Sequence, residues 1–203
     1  MDRQGANQGS GRMHHFGTLL LATALLSHGA LAGGNTADST ASTRTEEARA
    51  LVGRFVGQLK PQLQQAMAAG GPAHAVAVCA EVAPALMDSL SAETGWQVRR
   101  VSLQARNAER AEPDAWERAV LQQFAARQAA GTPASQLQQA AVTDGRFRYM
   151  QAQGTEGLCL ACHGENLSPA VQEALDTHYP DDRATGYQLG EVRGAISLIA
   201  PAS

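Results

Sequence analysis

Near the end of the chain stands the run Cys159-Leu160-Ala161-Cys162-His163, and its spacing constrains the fold more than any other feature. On one helical turn, residues at i, i+3 and i+4 share a face, so two thiols and an imidazole project together. Three chemistries use such a face. A thioredoxin-like dithiol would open a helix after an early strand, whereas this pair lies late in the chain. A structural zinc site needs a second ligand pair at matching spacing, and the rest of the chain after residue 32 offers only Cys79, His74 and His178, widely scattered. The third is covalent haem attachment by C-x-x-C-H, with the two sulfurs on the vinyl groups of one porphyrin edge and the histidine on the iron. The motif therefore predicts one haem c, bonded through Cys159 and Cys162, with His163 as proximal axial ligand.

The lateness of the motif excludes an architecture. Small electron-carrier cytochromes attach haem near the N-terminus and take a methionine from far downstream, but only 40 residues follow His163 and none is methionine. Four-helix-bundle cytochromes attach haem late, yet three segments here have strand character, which does not suit a bundle. The sixth iron ligand has six candidates: Cys79, His74, His178, Met67, Met87 and Met150. Cys79 lies in the apolar run AVAVCAEVAP, where an inert buried thiol competes with a ligand. Core filling competes for each methionine, and solvation for each histidine.

Export is the next expectation. Arg12, His14 and His15 precede an apolar run from Phe16 to Leu26, and Ala30-Leu31-Ala32 supplies small residues for cleavage. Residues 1–32 read as a signal peptide, with Met1 or Met13 as the start. The run is short for a membrane span, and a retained anchor is the competing reading. Cleavage would deliver a periplasmic protein in which no other segment is expected to be of membrane length. Residues 33–44 (GGNTADSTASTR) read as a flexible linker, and 45–203 as the haem domain. Of the 203 residues, 39 are alanine and only 4% are aromatic. A chain so poor in bulky side chains gains from the buried surface of a large cofactor. The formal charge of −3, with no basic stripe, excludes a nucleic-acid binder.

Leu51, Phe55, Leu59, Leu63 and Met67 recur every four residues and predict an amphipathic helix, opened by the capping pattern Thr43-x-x-Glu46 and bent near Pro61. Gly70-Gly71-Pro72 stops it, and a second helix runs from about Ala73 to Met87, broken or bent by Pro84. Strands are expected around Trp96–Val101, over Arg146–Met150, and as a strand or hairpin in GYQLGEVRGAISLIA. Helices open at Pro113-Asp114, carrying Trp116, Val120, Leu121 and Phe124, and around Pro169–Leu175. The class is α+β.

The segments AVAVCAEVAPAL, GWQVRRVSLQARN, EPDAWERAVL, GRFRYMQAQ, GLCLACHG and YPDDRATGYQLGEVRGAIS, in that order, resemble the bacterial PAS-like c-type haem domain over roughly residues 45–200. The resemblance implies a PAS-like antiparallel sheet flanked by helices, a long N-terminal helix, and His/Cys axial ligation with the cysteine at the position of Cys79. The sequence departs from that family at Ala108 and Arg110, where Pro and Asn are usual. Arg99, Arg100 and Arg106 are candidates for holding haem propionates, since guanidinium forks match carboxylates. Arginine is also the default cation here, supplying 15 of 16 basic residues. The expected role is redox or gas sensing, or low-potential electron transfer, through a redox or signalling partner protein. The alternative is a small peroxidase-like or nitrite-converting enzyme with an open iron face.

Overall fold

A computed structural model describes residues 34–202; the expected signal peptide lies outside the described residues. Helix α1 (Gly34–Thr94) is followed by β1 (Gln97–Val101), the short α2 (Ala108–Ala111), α3 (Ala115–Ala129), β2 (Gln138–Thr143) and β3 (Arg146–Gly154). Then come α4 (Leu160–His163), α5 (Pro169–His178) and β4 (Val192–Ile199). The strands form one antiparallel sheet in the order β1-β4-β3-β2. This is the expected α+β arrangement of a long first helix and an antiparallel sheet flanked by helices.

Strand alternation assigns the faces. Val98, Leu198 and Tyr149 stand in cross-strand register, and with Phe147 and Ile196 they pack against Leu51, Phe55, Met87 and Leu90 of α1. Val101, Ala195, Ala152 and Met150 point the other way, onto Val120, Leu121 and Phe124 of α3. Each of the larger side chains, fully buried, contributes about 1.5–3 kcal/mol. Because both faces are covered, Phe147 to Met150 are buried consecutively rather than alternately.

Four local expectations are corrected. The stretch expected as a linker belongs to α1: the Thr43 and Thr45 hydroxyls donate to the carbonyls of Ser39 and Ala41, and Ala41 packs on the core. The helix therefore does not open at Thr43, and Gly71 is its one departure from helical geometry, with φ 74° and ψ −169°. That region is open essentially only to glycine. It divides α1 into two limbs, while Pro61 and Pro84 lie inside helix. Within α1, the span Asp38–Thr94 is long and apolar enough to cross a membrane, at a mean hydropathy of 1.4 over its best window. The expectation of no further membrane-length segment therefore fails on composition. The span's larger residues Phe55, Met87 and Leu90 face the sheet. Finally, β2 (QQAAVT) is an addition, while the last segment gives a single strand, one of its two expected forms. β2 joins β3 through Asp144-Gly145, both at positive φ, the signature of a tight hairpin turn.

Candidate metal and cofactor centre

The C-x-x-C-H motif folds as a single turn. A 3-10 turn at Gly157–Cys159 leads into α4, and Gly164 ends it by donating its N–H to Leu160 O at 3.0 Å. A side chain at Gly164 would stand 2.6 Å from that same oxygen, so the stop requires glycine. The loop before β4 then wraps the turn. Tyr187 N donates to His163 O (2.9 Å) and Gly186 N to Gly164 O (3.0 Å). His163 Nδ1 lies 2.7 Å from Ala184 O. A carbonyl only accepts, so Nδ1 carries the proton and Nε2 is left with the lone pair that a metal uses.

The same loop is fixed from the other side by Arg106. Its Nε and Nη2 donate to the two Asp182 carboxylate oxygens at 3.2 and 3.1 Å, and Nη2 also reaches the carbonyls of Cys162 and Ala184. Asp182 Oδ1 accepts from Ala184 N at 2.9 Å. One part-buried ion pair thus sets the position of the oxygen that orients His163. Arg106 Nη1 approaches His163 Nε2 at 3.4 Å, a donor set against the lone pair that a metal would take.

His163, Cys159 and Cys162 open onto a cleft with about 1140 Å³ of free space, part of it continuous with solvent. Leu59, Leu63 and Met67 wall it from the first limb of α1, and Val76, Cys79 and Ala83 from the second. The two limbs meet near the motif, where the Cys162 thiol lies 3.8 Å from Pro72 O. Arg100 from β1, Gln153 from β3 and Arg193 from β4 complete the wall.

Burial depresses His163 well below its ordinary value, helped by the charges of Arg193 and Arg106 and opposed by the Ala184 hydrogen bond. The imidazole is neutral, as a metal ligand must be. Burial pushes the Cys79 thiol up, while Arg100, Arg106 and Arg193 pull it down. Burial likewise raises Cys162. Burial and the neighbouring charge of Arg193 bring Arg100 down to about 10, so it is charged at neutral pH. The cleft is therefore apolar along α1 and cationic along the sheet. Arg193 Nε is buried without a hydrogen-bond partner. A flat apolar group with carboxylates at one edge, carried on two thiols above a neutral imidazole, fits this donor set.

The structure gathers Cys79, Cys159, Cys162, His163, Arg100 and Arg106 around one cleft. It does not bring Arg99 there. Arg99 is in register with Ser197 on the α3 face, where it lies 3.6 Å from the buried Glu117 carboxylate and donates to Glu112 O. Adjacent strand residues face opposite ways, so only one of the pair Arg99-Arg100 could face the cleft. Among the other distal candidates, His74 and His178 are exposed, and Met150 is buried on the α3 face. Met67 and Met87 line the cleft beside Cys79. At Ala108 and Arg110 the loop folds as α2, capped by the Asn107 side chain. Sequence reasoning missed Arg193 and Gln153, which carry no motif.

The fold recurs in a known protein. The crystal structure of the cyanobacterial heme-protein Tll0287 matches at 27% identity and a TM-score of 0.55, covering 76% of this chain and 95% of that one. No curated protein sequence matches. The profile of the Tll0287-like family matches residues 34–201, nearly the whole of the described chain. The chain belongs to the Tll0287-like family.

Proposed function

We propose that this protein carries one haem c in the periplasm and acts in redox or gas sensing, or in low-potential electron transfer, through a partner protein. Cys159 and Cys162 form the thioethers, His163 is the proximal ligand and Cys79 the distal one. One observation carries the reading: the protonated Nδ1 of His163 is tied to Ala184 O, so the lone pair is on Nε2, beside Arg106 Nη1 in a cleft that both motif thiols and Cys79 share. The heme named for the solved relative supports it.

The haem would supply a one-electron couple, and thiolate ligation favours its ferric state. The chain's own contribution is positional. The 184–187 loop sets the imidazole, the second limb of α1 presents Cys79, and the apolar first limb excludes water. The guanidinium groups of Arg100, Arg106 and Arg193 give a thiolate at Cys79 its counter-charge.

The test is purification from a host that matures c-type cytochromes. The pigment is expected to stay with the polypeptide in acidified organic solvent, with a low-spin thiolate spectrum that Cys79→Ala abolishes. Pigment that extracts freely would refute covalent attachment. An unchanged spectrum in Cys79→Ala would refute the distal ligand, and a high-spin five-coordinate wild type would favour the enzyme reading.

A further inference from the structure

The sheet side of the cleft holds more positive charge than its own acids balance. Arg106 has Asp182, and Arg110, at the rim, has Asp88. Arg100 is paired only with the neutral Gln153, Nε to Oε1 at 3.2 Å. Arg193 makes no side-chain hydrogen bond or ion pair among the described residues, and its Nε is buried. Two neighbouring guanidinium groups in such a place repel each other, and an orphaned buried donor adds an uncompensated desolvation cost.

Register explains how Arg193 reaches the cleft. Gln153 pairs with Gly194 but Gly154 pairs with Val192, so Arg193 is the extra residue of a bulge in β4. A bulge leaves one residue unpaired and re-aims its side chain. Arg193 lines the same cleft as Arg100. A cation turned into an apolar cleft by a backbone irregularity, beside a second cation without an acid, is a built receptor for an anion.

We propose that Arg193 and Arg100 together clamp the carboxylate edge of the bound cofactor, the haem propionates, and that Arg193 holds the iron's potential up and independent of pH. The proposal rests on the haem reading above. The thioether edge of the cofactor is held by Cys159 and Cys162, which leaves the propionate edge for the sheet wall. A fixed positive charge beside the haem favours the ferrous state. A propionate deprived of its cation takes up a proton nearer neutral pH, and the potential then varies with pH. The other titratable groups lining the cleft are the thiols of Cys79, Cys159 and Cys162, with His163, Tyr179, Arg106 and Arg110. The Arg193 substitutions leave all of them in place.

The experiment is a redox titration of the holoprotein from pH 5.5 to 8, for wild type, Arg193→Gln, Arg193→Lys and Arg100→Gln, with and without added inorganic phosphate. Wild type is expected to give a flat profile. Arg193→Gln should shift the oxidised-to-reduced ratio at fixed potential about tenfold toward oxidised, about 59 mV for one electron, and gain a pH slope. Arg193→Lys should keep the flat profile. Should Arg193→Gln yield no holoprotein, Arg100→Gln is read the same way. A profile superimposable on wild type overturns the clamp, as does a shift without new pH dependence. A wild-type potential that moves with phosphate, through Arg193, also overturns it by assigning the pair to a free anion. A wild type without covalently held pigment fails at the earlier step and refutes the haem reading itself.

Discussion

Replacing Asp182 with alanine tests whether the wrapped loop orients His163. The carboxylate accepts from Arg106 Nε and Nη2 and from Ala184 N, at 3.2, 3.1 and 2.9 Å. Its side chain is 8% exposed and that of Arg106 15%, so solvent screens the pair weakly. Hydrogen bonds to charged groups contribute about 1.5–3 kcal/mol each, but Arg106 keeps the carbonyls of Cys162 and Ala184. Removing one partner of a buried pair costs about 3–5 kcal/mol. With those carbonyls retained, Asp182→Ala should cost about 3 kcal/mol, the lower end of that range. Asp182→Asn, which keeps the acceptor for Ala184 N, should cost about half as much. In thermal unfolding the alanine variant should melt about 6–12 °C below wild type. The holoprotein spectrum should shift as well, because Ala184 O is the acceptor that fixes the imidazole. Alanine and asparagine variants that are equally stable, or both within about 0.5 kcal/mol of wild type, would refute the idea that this ion pair sets the loop.

Gly71→Ala meets no atom within 4 Å, so its cost is conformational alone. Urea unfolding should show a loss of about 1–3 kcal/mol, and no loss would mean that the limbs can meet at another geometry. Asp114 caps α3 and pairs with Arg148. Burial pushes its carboxyl up, but the Glu117 backbone N–H and the hydrogen bond and charge of Arg148 outweigh this and hold it below its ordinary value. Its contribution is therefore complete above the ordinary carboxylate pKa of about 3.9 and is lost as pH falls through the lower folded value. Asp114→Asn should be about 1 kcal/mol less stable at pH 7, with the gap closing as pH falls through the lowered carboxyl value. A gap that stays constant from pH 7 to pH 2.5 in urea titrations would contradict this. If Cys79 leaves the iron on reduction, carbon monoxide should change the spectrum of the reduced protein but not the oxidised one. No change at any reductant strength removes the gas-sensing branch.

Elements fixed by local patterns were legible from the residues. The four-residue stripe from Leu51 to Met67, the Asp114 cap and the Pro113 start lie in the amino-acid order itself, and so does the glycine break. β2 was not legible, because Gln138-Gln139-Ala140-Ala141 has little strand propensity and pairs only as an edge. Its hairpin signal, Asp144-Gly145, was present in the sequence. The N-terminal extent of α1 was hidden because Ser and Thr favour turns, whereas here their hydroxyls bond within the helix. At the site, a motif identified Cys159, Cys162 and His163. The separation of Arg99 from Arg100 needed only the two-residue period of a strand. Arg193 depends on a bulge, which arises between two strands and leaves no trace in either alone.

The strand order has a temporal corollary. β4 is the last of the described elements, yet it lies between β1 and β3, and it brings Ala195, Ile196 and Leu198, all buried. Were the chain exported N-terminus first, as proposed, it would present Cys159 and Cys162 while the middle of its sheet was still missing. An enzyme that had to reach both thiols would then have an interval in which to act, and arrival of β4 would end it.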